Sequence, residues 1–169
     1  MRYNILYSMA FSAAIVGCAG APSRIPVSIP AEALQRNLPA ARTQQTEALL
    51  QTLMALGIDY RNGGRSPSQG FDCSGLVAHV YREAYGMHLP HNTRAQSELG
   101  VQVSVADLEP GDLVFYNTLD RPFSHVGIYL GDSRFVHAPK TGSSVRVENV
   151  RSAYWRNRFD GARRINPPH

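Results

Sequence analysis

The chain has few cysteines. Cys18 and Cys73 are the only two in its 169 residues. Neither has a partner at metal-ligand spacing, and two lone thiols make no disulfide framework, so each must be explained by itself. No basic run interleaved with aromatic residues occurs, which argues against nucleic acid as a partner. No internal repeat or low-complexity tract is visible. The one sustained apolar run, Ile5 to Val16, is too short for a comfortable membrane span. What is present suits one globular domain of ordinary size: 43% hydrophobic residues against 18% charged.

The apolar run explains Cys18. Arg2 supplies a positive start, and the run has the length of a signal-peptide core. It ends in Ile15-Val16-Gly17-Cys18, which resembles a lipobox, where a small residue precedes a cysteine that is lipidated and becomes the mature N-terminus. Ile15 departs from the usual Leu. Conventional cleavage at Ala19-Gly20-Ala21 is the alternative, made less attractive by Pro22. By the sorting rule of the lipoproteins this segment resembles, Ala19 rather than Asp implies the outer membrane, facing the periplasm, in an organism that has one. Loss of Arg2 brings the formal charge of +4 to +3, which suits an anionic surface such as cell wall or lipid headgroups. The expected organisation is a signal peptide over 1–17, a lipid-anchored tether over 18–45 and a folded domain over 46–169. Pro22, Pro26, Pro30 and Pro39 mark the tether, with one short helix at Ala31–Asn37. A linker of about 25 residues reaches ~75 Å when extended.

Within the domain, Leu49, Leu53 and Leu56, joined by Leu50 and Met54, predict one helical stripe facing a core, ended by Gly57. A second helix is expected from Cys73 to Tyr85, stopped by Gly86, with Leu76, Val77, Val80 and Ala84 buried and Asp72 as N-cap. A short helix over Thr93–Leu99 ends at Gly100. Then the period changes. Val101, Val103 and Val105 alternate with polar residues, and short strands are expected at Leu113–Tyr116, His125–Leu130, Arg134–His137, Val145–Val147 and Ala162–Ile165. Helices first and adjacent strands afterwards predict an α+β fold with an antiparallel sheet.

Two segments carry chemistry. In Phe71-Asp72-Cys73-Ser74-Gly75-Leu76-Val77 the cysteine falls in the first turn of a helix, where unpaired N–H groups and the helix dipole favour a thiolate. A small buried hydrophobe is the bland alternative. In Ser124-His125-Val126-Gly127-Ile128-Tyr129-Leu130-Gly131, strict alternation puts His125, Gly127 and Tyr129 on one face. Gly131-Asp132-Ser133 signals a hairpin turn. His125 and His137 are equally distant from Gly131, so a hairpin centred there sets them opposite each other, with Cβ atoms roughly 5 Å apart. The second imidazole then sets the tautomer of the first. A one-residue slip breaks the arrangement. Gly127 leaves room beside His125 for another group.

A cysteine, a histidine and a third polar group make an activated nucleophile. The chain here resembles the NlpC-type cell-wall cysteine endopeptidases, a papain-like family, and among them the lipoprotein murein endopeptidases. The resemblance rests on Tyr60-Arg61-Asn62-Gly63-Gly64, Phe71 to Leu76, Pro110-Gly111-Asp112-Leu113, Ser124 to Tyr129, Phe135-Val136-His137-Ala138, Tyr154-Trp155 and Ala162-Arg163-Arg164. It covers roughly Leu49 to Ile165. It implies a papain-like fold with N-terminal helices packed on an antiparallel sheet. It implies Cys73 as nucleophile, His125 as base and His137 as the residue orienting that base. It places Tyr60, Asp72 and Ser74 near substrate. Tyr60 is equally a core aromatic, and Asp72 is read first as a helix cap.

The resemblance also implies a peptidoglycan stem-peptide substrate, cut at the D-alanine–meso-diaminopimelate cross-link or, alternatively, between D-glutamate and diaminopimelate. No metal and no organic cofactor are expected, and the membrane is reached through the N-terminal lipid. A monomer is expected. An inactive wall-binding lipoprotein and a lipid acyltransferase are the competing classes. The remaining histidines take bland readings: His79 as a surface partner of Glu83, and His88 and His91 as loop residues around Leu89-Pro90.

Overall fold

A computed structural model describes residues 40–166. Cys18, the signal peptide and most of the tether, with the helix expected at Ala31–Asn37, lie outside the described residues.

Helix α1 (Ala40–Met54) leads into a loop and a small antiparallel pair, β1 (Arg65–Ser66) and β2 (Gly70–Phe71). Helix α2 (Cys73–Tyr85) and the short α3 (Thr93–Gln96) follow. The main sheet is built from β3 (Val101–Val103), β4 (Leu113–Tyr116), β5 (His125–Gly131), β6 (Arg134–His137), β7 (Arg146–Asn149) and β8 (Phe159–Arg164), with α4 (Ala153–Arg156) between the last two. Its six strands run antiparallel in the order β3-β8-β4-β5-β6-β7. The α+β class with helices on an antiparallel sheet is what the chain adopts.

The alternation read along β5 assigns its two faces correctly. Val126 and Ile128 face the helices, in a core with Leu76, Val77, Val80, Leu113, Phe115 and Val136. Tyr129 faces the other way, in a second core with Tyr116, Phe135, Val150, Trp155 and Ala162. The sheet is therefore covered on both sides, by α1 and α2 on one and by α4 and its flanks on the other.

Helix α2 starts and stops where its signals lie. Asp72 is extended and its carboxylate accepts from Gly75 N, while Gly86 takes the left-handed conformation at φ 65°. Helix α1 departs from expectation in two ways. It begins at Ala40, well before Thr46, and its buried face is Ala48, Thr52 and Ala55, while Leu50, Leu53, Met54 and Leu56 are exposed. Small residues let the two helix backbones approach closely, and Thr52 Oγ1 satisfies itself on Ala48 O at 2.7 Å. Hydrophobic periodicity points to the bulkiest stripe, and close packing selected the smallest. The Val101–Val105 alternation likewise yields one buried residue, Val103, because β3 is an edge strand and Val105 opens a 3₁₀ turn.

Candidate active site

Cys73 is the first residue of α2 and is partly buried against the helix-side core. That core includes Val126, the second residue of β5, and the backbone N–H groups of Val126, Ser74 and Cys73 itself favour the thiolate. The helix start and the beginning of β5, an interior strand, thus meet, although they are far apart in sequence. Burial, followed by the neighbouring Asp72 carboxylate, raises the Cys73 thiol to about 11, and the three backbone N–H groups only partly offset this. The N–H groups of the first turn lower the thiol as expected, but not enough to overcome burial. Desolvation outweighs the helix terminus.

The Asp72 carboxylate organises the turn before the helix. Oδ1 accepts from Gly75 N at 2.7 Å and Ser74 Oγ at 3.1 Å, and Oδ2 accepts from Gly63 N at 2.9 Å. His91 Nε2 also donates to Oδ1, at 2.7 Å. Asp72 is a cap, and both it and Ser74 have polar partners within the protein. Tyr60 is half-buried beside the same group. Its hydroxyl is raised by burial first and then by the charges of Cys73 and Asp72.

His125 and His137 come together across β5 and β6. His125 Nε2 lies 2.7 Å from His137 Nδ1, with the rings edge to face. The register is not the one the turn arithmetic predicted. Tyr129 pairs with Phe135 and Ile128 with Val136, with a bulge between Tyr129 and Gly131. Continued along the strands, that register sets Gly127, not His125, opposite His137. The contact is therefore diagonal. It survives because the displacement is two residues, which keeps both imidazoles on one face. The missing side chain at Gly127 leaves space that the Phe135 ring fills, with a Cβ there falling 2.5 Å from that ring.

Trp155 closes over the pair. Its ring stacks on His125 at 5.8 Å and meets His137 edge-on at 4.9 Å. His137 is fully buried and His125 nearly so. Burial lowers His125 to about 4, and burial, then His125, then Arg146 lower His137 to about 2. Both rings are neutral at pH 7. If His125 offers a free Nδ1, its proton sits on Nε2 and is donated to His137 Nδ1. His137 then carries its own proton on Nε2, a buried atom with no partner among the described residues.

Three contributors escaped the sequence reading. His91, read as a loop residue, holds Asp72 from nineteen positions away. Gln96 is buried and donates from Nε2 to Ser74 O and Pro90 O, tying α3 to the nucleophile's turn. Trp155 was noted only as part of a motif. No spacing signal links any of them to Cys73. His79 has its expected partner, Glu83, at 3.9 Å, but it is buried rather than on the surface, its ring 5.1 Å from Phe71.

The model of the NlpC/P60 family matches residues 57–164, which include all of these groups. The chain belongs to the NlpC/P60 family. It is 43% identical over 109 residues to the murein DD-endopeptidase MepS/murein LD-carboxypeptidase of Escherichia coli (strain K12), covering 64% of this chain and 56% of that protein. It is 38% identical over 112 residues to the gamma-DL-glutamyl hydrolase of Bacillus subtilis (strain 168), covering 66% of this chain and 27% of that one. It therefore spans about half or less of these relatives' lengths. The crystal structure of an NlpC/P60 family protein from Bacillus cereus ATCC 10987 superposes with a TM-score of 0.68 at 31% identity, over 73% of this chain and 40% of that one. The NlpC/P60 fold of this chain thus agrees with the resemblance read from its motifs.

Proposed function

We propose that this NlpC/P60 chain is a cysteine endopeptidase of peptidoglycan stem peptides, with Cys73 as nucleophile, His125 as base and His137 as its orienting partner. The observation that carries this reading is the 2.7 Å bond between His125 Nε2 and His137 Nδ1, at the start of the strand whose Val126 belongs to the core against which Cys73 packs. The family relatives named as a murein endopeptidase and a glutamyl hydrolase support the substrate class.

Sulfur and imidazole are both uncharged at rest, so the proton moves as the sulfur attacks. His125 Nδ1 takes it while Nε2–H remains donated to His137. Negative charge developing on the carbonyl oxygen is met by backbone N–H groups at the start of α2, including that of Cys73. His125 then protonates the departing amine, and water deprotonated by the same nitrogen hydrolyses the thioester. Trp155 and the neighbouring core exclude bulk water from the histidine pair, which strengthens these interactions.

The bond we favour is the D-alanine–meso-diaminopimelate cross-link. The glutamyl hydrolase relative supports the second reading, cleavage between D-glutamate and diaminopimelate. We further propose that Cys18 is lipidated and that the tether holds the domain at the periplasmic side of the outer membrane, near its immobile polymeric substrate. Digestion of purified sacculi with wild type and Cys73→Ala, followed by mass spectrometry of muropeptides, tests the activity. Loss of cross-linked dimers with wild type alone is expected. D-alanine–diaminopimelate linkages left intact while sugar-linked peptides end at D-glutamate would favour the second bond, and identical digests would return the chain to the wall-binding class. Metabolic labelling with a palmitate analogue, lost in Cys18→Ala, tests the anchor.

A further inference from the structure

A cavity of about 430 Å³, within the range of small-ligand sites, is bordered by both His125 and His137 but not by Cys73. Under the reading above, His125 must hand its proton to the departing amine. The amine-bearing half of the substrate therefore lies over the imidazole, on the side where this cavity opens. Tyr154 and Trp155 form an aromatic wall, and Lys140 and Arg146 stand on the rim.

The charges on that rim are placed by the sheet. Arg146 is directly opposite His137 in the β6–β7 ladder, so both side chains share the cavity face. Its carboxylate neighbour Glu148 is opposite Phe135 on the same face and bonds Arg146 Nε at 2.8 Å. Lys140, the only lysine in the sequence, is exposed and makes no ion pair among the described residues. One acid faces two cations, leaving a net positive rim. The same cavity borders His137, whose buried Nε2 has no partner among the described residues. Two cations against one acid on the rim fit an anionic ligand with oxygen acceptors.

We infer that this cavity is the leaving-group subsite and that Lys140 and Arg146 hold a free carboxylate of the residue that supplies the departing amine. The inference rests on the endopeptidase reading, and the chemistry agrees. In both candidate bonds the departing amine belongs to diaminopimelate, which bears a carboxylate besides the groups at the scissile bond. Neither Lys140 nor Arg146 hydrogen-bonds an imidazole among the described residues, and although the Arg146 charge reaches His137, their main effect falls on binding. Being exposed, they act through a charge that salt screens.

The test uses a synthetic stem-peptide dimer containing both candidate bonds, and the same dimer with its free diaminopimelate carboxylates amidated. Wild type, Lys140→Gln, Arg146→Gln, the double variant and Lys140→Arg are compared, with Cys73→Ala as the blank. For the carboxylate dimer the double variant is expected to raise KM about five- to tenfold with kcat within twofold, and Lys140→Arg to behave as wild type. On the amidated dimer all charge variants should match wild type, whose own KM rises to the double variant's level. Wild-type cleavage with KM indifferent to both the variants and amidation would overturn this inference alone. So would an equal rise in KM on both dimers. Wild type no better than Cys73→Ala would overturn the endopeptidase reading, and this inference with it.

Discussion

His91 Nε2 donates to Asp72 Oδ1 at 2.7 Å, linking the loop after α2 to the carboxylate that caps that helix. The same oxygen holds Gly75 N, so the start of the helix bearing Cys73 is fastened from two directions. His91→Ala removes one fastening and should lower stability by about 1 kcal/mol. Asp72→Ala removes the cap and strands the Gly63 and Gly75 N–H groups, at a cost of about 2–3 kcal/mol. Urea denaturation should rank the variants in that order, and an equal or reversed ranking would contradict the assignment.

The buried histidine pair links stability to pH. Both rings have native values below the ordinary imidazole value, His125 at about 4 and His137 at about 2. The unfolded chain therefore takes up protons first as pH falls. The contribution is complete above about pH 6.5 and is lost progressively as pH falls towards 4. A His125→Gln/His137→Gln variant should lack this slope. Denaturation at several pH values between 7 and 4 checks it, and parallel curves for wild type and variant would refute it.

If His137 orients the base, His137→Ala should lower kcat at least a hundredfold while KM changes little. His137→Asn keeps an acceptor and should recover part of that loss. Steady-state kinetics on a cross-linked stem peptide separates the two parameters, and an effect confined to KM would speak against an orienting role.

Glycine at two positions is demanded by close approach. A Cβ on Gly75 would sit 2.0 Å from Gly64 O, and one on Gly127 would sit 2.8 Å from Val136 O, besides its clash with the Phe135 ring. Neither carbonyl is a flexible side-chain end. Gly75→Ala and Gly127→Ala should each lose about 3 kcal/mol or fail to fold. Gly142 has open space but φ +79°, so Gly142→Ala should lose only about 1 kcal/mol. Melting temperatures of the three variants provide the comparison.

Asp112 is buried and takes two bonds of 2.8 Å from Arg164, through Nε and Nη2. It also accepts from Glu109 N, pinning the turn before β4. The carboxylate raises the Arg164 guanidinium above its ordinary value. Asp112→Ala should cost about 2 kcal/mol, because Arg164 loses two bonds and Glu109 N loses its acceptor, while Glu109 Oε1 keeps the guanidinium paired at 3.0 Å. Chemical denaturation would show it, and a loss below 1 kcal/mol would mean that the pair is dispensable.

Local signals were legible wherever a short-range cause sets the structure. Asp72 and Gly86 bound α2 because capping and left-handed backbone depend on neighbouring residues. Leu113–Tyr116 and Arg134–His137 were read to the residue because apolar or alternating segments flanked by turns have few other uses. The face of β5 followed from period two. The register did not, since a bulge beside Gly131 changes the pairing without changing the alternation. Helix α1 was misread because periodicity reports where large apolar groups lie, whereas its packing required small ones.

By itself the sequence determined the family, the fold class and the residue types of the candidate site, because motifs in order, caps and alternation are properties of neighbours along the chain. Only the tertiary structure decided how those groups behave. It brought His91, Gln96 and Trp155 around residues distant in sequence, made the histidine contact diagonal, and set the ionisation of Cys73, His125 and His137. The physical reason is desolvation. Whether a thiol or imidazole is charged depends on what excludes water from it, and those groups come from every part of the fold.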